Sequence, residues 1–571
     1  MVSTEVQRIL LLVSLAATSY LLILAWNEDY GQRDGVIQFS PEPDTGVAPT
    51  LRDRVAPSDI PAADVATPRA TDVPDPSLLG DVPTAQAEPA PHENRLIKVV
   101  TPTLEVWIDR LGGDIVRVQL PRFLLQRGLD VPYLLLNRGD GHIYIAQSGL
   151  VGPDGLDAGA ERPLYSSAQS EYRLRGSTPL TVTLTAERDG IIVVKEFEFP
   201  ADDYLVQVRH RVENTTGREI HTGMFAQIKR DDQEALGDKP FTLGPQPYLG
   251  AALTTDETRY KKLRFKDLDE ADFRAAVTGG WIAFLQHYFL SAWVGHPEEA
   301  NRYYGQKHPD STYIVGYTSP LRSLAAGATS VFESRFYVGP KDQKRLEQIA
   351  PNLNLTVDYG FLWWLAVPLF YILDWMHGLF GNWGVAIIML TFVVKLALYP
   401  LSAASYRSMA NMRRVAPQMK RLQERYADDR QKLSQEMMAL YKKEKVNPLG
   451  GCLPMLLPMP IFIALYWVLF ESVELRHAPF FLWIQDLSAM DPYFILPLLM
   501  GASMYAQQLM SPAMGDPMQQ RMMRLMPIMF TVLFLFFPAG LVLYWLVNNV
   551  LSIAQQYYVM RQVEGKYAQK S

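Results

Sequence analysis

One cysteine, Cys452, is all that this 571-residue chain carries, so no intramolecular disulfide can form and an exported domain would have to hold together by its own core. The stretch from about Arg95 to Gly339 also lacks a metal-ligand cluster, a nucleophile elbow and a phosphate-cradling glycine loop. Among its histidines, His210, His221, His287 and His296 stand scattered and read as ordinary surface or core residues. Nor is there a strong excess of either charge. A net charge of −6 and a mean hydropathy of −0.02 would suit a soluble enzyme, but that average joins two unlike parts. Apolar residues concentrate near residue 10 and again after residue 360, which is the pattern of a membrane protein with a large aqueous domain.

Arg8 precedes the apolar run Ile9 to Trp26, followed by Glu28, Asp29 and Asp34. A cleaved signal peptide and a retained anchor are both open; the run is long for a signal core and close to spanning length, which favours an anchor over 1–26. Residues 27–94 form an expected disordered linker. Eleven prolines, and thirteen acidic against four basic residues, over 27–93 leave too little apolar surface to offset the entropy of ordering. From 95 to 350 short alternating runs (Leu104, Val106, Ile108; Leu180, Val182, Leu184; Tyr204, Val206, Val208) predict half-buried strands and one large antiparallel β-sandwich.

After a short polar helix, Lys341 to Ile349, residues 361–380 carry Trp363, Trp364 and Trp375, with Pro368 and Asp374 interrupting the apolar stretch. They are expected to lie on the outer membrane surface, not to cross. Spans are expected at 382–403, 453–473, 492–508, 525–538 and 539–558. With the anchor that makes six transmembrane helices, five of them forming a core. Between the second and third, 404–446 should fold as a helical hairpin with a narrow seam through Met412, Val415, Met419, Leu422, Tyr426, Leu433, Met437 and Leu440. Eleven Lys or Arg against five Asp or Glu over Ser405 to Lys445 put this hairpin in the cytoplasm by the positive-inside rule. Residues 27–360 then fall in the periplasm, and both termini, including the tail 559–571, in the cytoplasm. The spans at 525–538 and 492–508 read as short for a bilayer and imply local thinning.

Lys395 lies in the otherwise apolar run Val385 to Leu398. A lysine near the middle of a span costs roughly 2.5 to 3.5 kcal/mol unless it snorkels, finds a partner or meets water. Thr391, Lys395 and Tyr399 share one helix face, as do Tyr544, Asn548 and Gln555 in the last span, so two polar stripes could line one cavity. No intramembrane carboxylate stands ready as a partner, since Glu471 and Glu474 lie near the opposite, outer end. Snorkelling stays open, because Lys395 is five residues before Pro400.

The stretches LSQEMMALYKKEKVNPLGGCLPMLLPMPIFIALYWVLFESVELRHAPFFLWIQDLSAMDPY, DPMQQRMMRLMPIMF and FPAGLVLYWLVNN closely resemble the YidC membrane-protein insertases of Gram-negative bacteria. The similarity runs from about Asn382 to Tyr558 and extends more loosely to LEVWIDRLGGDIVRVQLP and the N-terminal anchor. The resemblance implies a five-helix core with a hydrophilic groove open to cytoplasm and lipid, a periplasmic β-supersandwich, no cofactor and no chemical catalysis. It implies that Lys395, Thr391, Phe462, Met500, Tyr544 and Trp545 border the path of an incoming helix. It further implies that Arg413, Arg414, Lys420, Arg421 and Arg425 of the hairpin meet the nascent chain or ribosome. Nascent membrane proteins, the Sec translocon, the ribosome and the lipid bilayer are the partners expected of such a protein, working as a monomer. Two positions depart from the family's usual residues, Arg at 395 and a second Tyr at 545. Lysine keeps the charge and gives up the planar fork of donors.

Two other classes compete on the residues alone. A secondary transporter would also carry an intramembrane charge, but no inverted repeat is visible in the five core spans. An anchored periplasmic sugar-binding or sugar-converting protein could use the β-sandwich, yet would need no basic hairpin among five further spans.

Overall fold

The computed structural model describes residues 95–568 except 140, 159–161, 234–246, 427–428, 445–457 and 511–516. The expected anchor at 1–26 and linker at 27–94 lie outside the described residues, as do residues 569–571 of the tail.

The β region forms two large sheets packed face to face. In spatial order the first runs Phe273–Thr278, Ala300–Lys307, Tyr313–Thr318, Ile220–Arg230, His142–Val151, Pro132–Gly139, Asp114–Leu124, Glu105–Asp109, Leu96–Val100 and Glu171–Arg173. The second runs Lys261–Leu263, Gly250–Leu253, Trp281–Leu285, Phe289–Val294, Thr329–Pro340, Leu205–Asn214, Ile191–Phe199, Leu180–Arg188 and Ser166–Ser167. Period-two burial is clear where the sequence alternates: Val182, Leu184 and Ala186 point into the core, as do Ile191, Val193, Phe197 and Phe199. These two strands meet through a two-residue turn in which Asp189 and Gly190 have φ of +53° and +77°, the left-handed pair that an Asp-Gly hairpin turn requires. One pairing departs from the antiparallel expectation: Glu171–Arg173 joins Leu96–Val100 in parallel, on the edge of the first sheet.

The core between the sheets holds an ionic cluster that alternation does not reveal. The Arg162 guanidinium donates to Asp157 at 2.6 Å and to Asp114 at 2.9 Å, and Lys195 donates to the carbonyls of Ser148 (2.8 Å) and Gly112 (3.1 Å). All four charged side chains are buried, and burial lowers the lysine's pKa to about 7. The glycine pair inside RLGGDIV accommodates this cluster. A Cβ on Gly112, at φ +74°, would lie 2.5 Å from the Arg162 guanidinium, and one on Gly113 would lie 3.0 Å from the Lys195 stem.

Ten helices are described: α1 (Phe265–Glu270), α2 (Gln343–Ile349), α3 (Trp363–Phe380), α4 (Trp383–Ala397), α5 (Tyr399–Arg425), α6 (Arg430–Glu444), α7 (Met459–Glu471), α8 (Ile495–Met510), α9 (Pro517–Phe534) and α10 (Ala539–Ala568). Asp342 caps α2 by accepting from the Arg345 amide at 3.0 Å. The aromatic helix α3 buries Ala366, Leu369, Phe370, Leu373 and Met376 against its neighbours and exposes Trp363, Trp364 and Trp375.

Several helices differ from their expected bounds, α10 by running ten residues past 558 to Ala568. The one carrying Lys395 ends at Ala397, not at 403, and the chain bends by 67° into α5. Pro400, in the first turn of α5, has no amide hydrogen to continue the ladder. α9 begins at Pro517, eight residues before the expected span, and ends at Phe534, four residues short of its expected end. Among the described residues no single helix is long and apolar enough to cross a membrane by itself; α4 and α5 together meet that test as a bent pair.

Helix α5 packs on α6 through Met412, Val415, Met419 and Leu440, with Leu422, Met437 and Tyr441 beside them. Tyr426 and Leu433, expected in this seam, are not part of it.

Candidate functional site

α10 packs against α4, α5, α7 and α8, which brings a run of small polar side chains into the helical core. Thr391, Ser402, Ser405, Asn548, Asn549, Ser552 and Gln556 are all buried there. Lys395, half-buried at the end of α4, donates from Nζ to Ser552 Oγ at 2.6 Å. The Ser552 hydroxyl donates in turn to the Asn548 carbonyl at 2.6 Å. One turn away Asn549 Nδ2 donates to Ser503 Oγ at 3.1 Å, tying α10 to α8, and Ser503 donates to the Met500 carbonyl. Gln556 Nε2 reaches Met409 Sδ at 3.4 Å on α5. A cation that a neutral hydroxyl solvates, itself polarised by donating to a carbonyl, keeps its charge at lower cost than one facing hydrocarbon.

The residues expected along the substrate path divide into two groups. Phe462, Tyr544 and Trp545 come together: the Phe462 ring meets Trp545 edge-on with centroids 4.5 Å apart and lies 6.4 Å from Tyr544. Phe530 and Phe534 complete the aromatic group around Trp545, at 6.4 and 5.6 Å. The Tyr544 hydroxyl and the Trp545 indole nitrogen are buried with no hydrogen-bond partner among the described residues. Such orphaned donors cost about 1 to 3 kcal/mol each in a closed core, so they are ready to bond a polar group that enters. Thr391 and Met500 are different. Both are fully buried, and the Thr391 hydroxyl is already spent on the Ile387 carbonyl at 2.7 Å. In this arrangement they pack the bundle around the seam.

On the hairpin Arg413, Arg414, Lys420, Arg421 and Arg425 are exposed. Arg414 also bridges Glu444 on α6 at 2.9 Å, so part of its charge serves the hairpin itself.

Sequence reasoning missed Ser552, although it follows Asn548 by four residues on the stripe that Tyr544 begins. It also missed the joint between the β domain and the helices. Lys341 and Glu471 form an ion pair at 2.9 Å with both side chains almost fully buried, His287 Nε2 lies 2.9 Å from the Phe470 carbonyl, and Arg476 donates to the carbonyls of Leu124 and Leu125. Apolar packing is continuous across this joint, from Trp281 and Leu346 to Leu369, Leu465 and Leu469.

A β-sandwich of twenty strands among the described residues, joined to a helical bundle that holds a lysine on a polar seam, fits one class: an inner-membrane protein with a periplasmic β-sandwich domain. The model of the YidC periplasmic domain matches residues 96–372, and that of the 60Kd inner membrane protein matches 375–566. The chain is 49% identical to the membrane protein insertase YidC of Azotobacter vinelandii, over 98% of this chain and 99% of that one. It is 47% identical to that of Pseudomonas putida, over the same shares. The chain belongs to the YidC family. A crystal structure of an active YidC insertase with its first transmembrane domain resolved gives a TM-score of 0.38 at 18% identity, covering 83% of this chain and 93% of that one.

Proposed function

We propose that the chain is a membrane protein insertase and chaperone, inserting and helping to fold nascent inner-membrane proteins without chemical catalysis. The observation that carries the mechanism is the Lys395 ammonium held by Ser552 inside a polar seam. In this reading the seam opens as a hydrophilic groove toward cytoplasm and lipid, and Lys395 draws in an acidic or polar exterior segment. A charge pair 4 Å apart gains about 4 kcal/mol at an effective dielectric of 20, against about 1 kcal/mol in water. The orphaned donors of Tyr544 and Trp545 take up polar groups on the way, and Phe462 offers an aromatic wall. The hydrophobic segment then leaves sideways into lipid, driven by burial at roughly 25 cal/mol per Å².

The topology that goes with this mechanism has six spans, both termini in the cytoplasm, and residues 27–360 in the periplasm. The exposed arginines and lysines of the hairpin receive the nascent chain and ribosome, and the protein acts as a monomer, alone or beside the Sec translocon. The short apolar stretches at 492–508 and 525–538 go with a locally thinned bilayer that shortens the crossing.

Photo-crosslinkers at Phe462 and Ser503, with a control at Lys344 on the β domain, test the path during synthesis of a short membrane protein. Labelling of the nascent chain from the first two and not from the third is the expected result. Labelling from none of them would overturn the proposed path.

A further inference from the structure

The connection between α7 and α8 is a folded loop whose tip presents apolar side chains to the outside. Its frame is rigid. Phe480 N donates to the Ile484 carbonyl and Leu487 N to the Ala478 carbonyl, while Asp486 accepts from the amides of His477 and Ser488. Asp491 accepts from the Trp483 indole at 3.0 Å, and the amides of Ala539 and Gly540 tie the loop to the start of α10. Within this satisfied frame Phe481 is 57% and Leu482 79% exposed. Leu482 adopts φ +56°, a left-handed conformation that disfavours a branched side chain, and here it yields no buried contact in return.

The tip adjoins another apolar surface. Asn382 donates to the carbonyls of Pro479 and Phe480, and Phe480 packs so closely on Gly384 that a Cβ there would lie 2.0 Å from its ring. Asn382 lies two residues past the end of α3, where Leu379 and Phe380 are exposed along with Trp375. One flank of the tip is polar: Gln485 donates to the Leu482 carbonyl at 2.6 Å and accepts from Arg127 at 2.7 Å. An apolar tip with a polar flank, next to an aromatic helix face, matches the mixed chemistry of a membrane interface.

We infer that Phe481 and Leu482 insert into the outer leaflet of the phospholipid bilayer and continue the apolar face of α3 as one lipid-anchoring rim. The inference rests on the proposed topology, in which this end of the bundle faces the periplasm. The rim gives the β domain a fixed height above the bilayer, because the loop that carries it also receives Arg127 and, through Arg476, the Leu124–Leu125 carbonyls.

The test uses the full chain with Cys452→Ser and a single new cysteine, reconstituted in phosphatidylethanolamine and phosphatidylglycerol vesicles. Leu482→Cys, Val532→Cys on the exposed face of α9 and Ser323→Cys on the β domain are labelled with an environment-sensitive fluorophore. Quenching by an acyl-chain nitroxide is compared with quenching by aqueous iodide. The label at 482 should follow that at 532, with several-fold stronger quenching from lipid, and the label at 323 should show the reverse. Alkylation of the unlabelled Leu482→Cys protein by a charged maleimide should also run several-fold slower than that of Ser323→Cys, which removes any bias from the fluorophore. If 482 follows 323 while 532 follows lipid, the inserted tip is overturned and the spans stand. If 532 also follows 323, the proposed topology fails and the inference with it. A photo-crosslinker at 482 that labels a second copy of this chain or another protein in place of lipid overturns it as well.

Discussion

Lys395 donates to Ser552 across the contact between α4 and α10, at 2.6 Å, and the Ser552 hydroxyl donates its own hydrogen bond to the carbonyl of Asn548 one turn earlier. This chain fixes where the ammonium sits without supplying a neutralising charge. The lysine is therefore solvated but electrostatically available, which neither an ion pair nor free snorkelling would give.

Charge and geometry at this position separate by substitution. Lys395→Arg should preserve insertion in cells depleted of the native protein, because the charge remains. Lys395→Ala should impair most the substrates with acidic exterior segments. Ser552→Ala leaves the charge and removes one charge-assisted hydrogen bond, worth about 1.5 to 3 kcal/mol, so it should cost stability of the α4–α10 contact more than insertion. Equal insertion by Lys395→Ala and the parent chain would return the residue to snorkelling.

The crossing of α8 and α9 depends on a missing side chain. A Cβ on Gly501 would lie 1.9 Å from Thr531 Oγ1, an impossible contact. Gly501→Ala should lower stability by about 1 to 3 kcal/mol, as overpacking does. Thr531→Ala in the same protein should recover most of that loss, read as thermal unfolding in detergent. Non-additivity between the two changes is the decisive quantity.

How far the sequence carries depends on the range of the interaction. Strands such as Leu180–Arg188 announce themselves because alternation is local, and the hairpin seam follows from spacings of three and four. The break at Leu398 was within reach too, since Pro400 marks it. Lys395 was singled out by its apolar surroundings, but its partner lies 157 residues away, and no local rule selects Ser552 over its neighbours. Lys341 and Glu471 are 130 residues apart, and each alone looks like a solvated surface charge. Buried polar pairing is a property of the packed chain, whereas patterning is a property of the segment.

That buried pair makes its own prediction. Removing one partner, as in Glu471→Gln, leaves Lys341 without its counter-charge and should cost about 3 to 5 kcal/mol of the joint between β domain and helices. The double change Lys341→Met with Glu471→Leu should be far milder. Limited proteolysis near residue 350 would report the loosening in the single variant and its recovery in the double.

His287 gives the same joint a dependence on pH. Burial lowers its pKa to about 3, the positive charges of Lys341 and Arg476 push the same way, and its hydrogen bond to the Phe470 carbonyl works against the shift. In the docked protein the ring is therefore neutral over the interval from about 3 to its ordinary value of 6.5, while an undocked or unfolded His287 binds a proton there. Stability from this group is complete above pH 6.5 and falls as the pH drops toward 3, with a limiting slope of about 1.4 kcal/mol per pH unit. Carboxylates elsewhere add their own acid dependence, so the informative measurement is a difference. His287→Gln keeps a side-chain amide donor for Phe470 and cannot titrate, and its unfolding temperature should decline less between pH 7 and pH 4.5 than that of the parent chain. Parallel declines in the two proteins would show that the joint does not sense the histidine's proton.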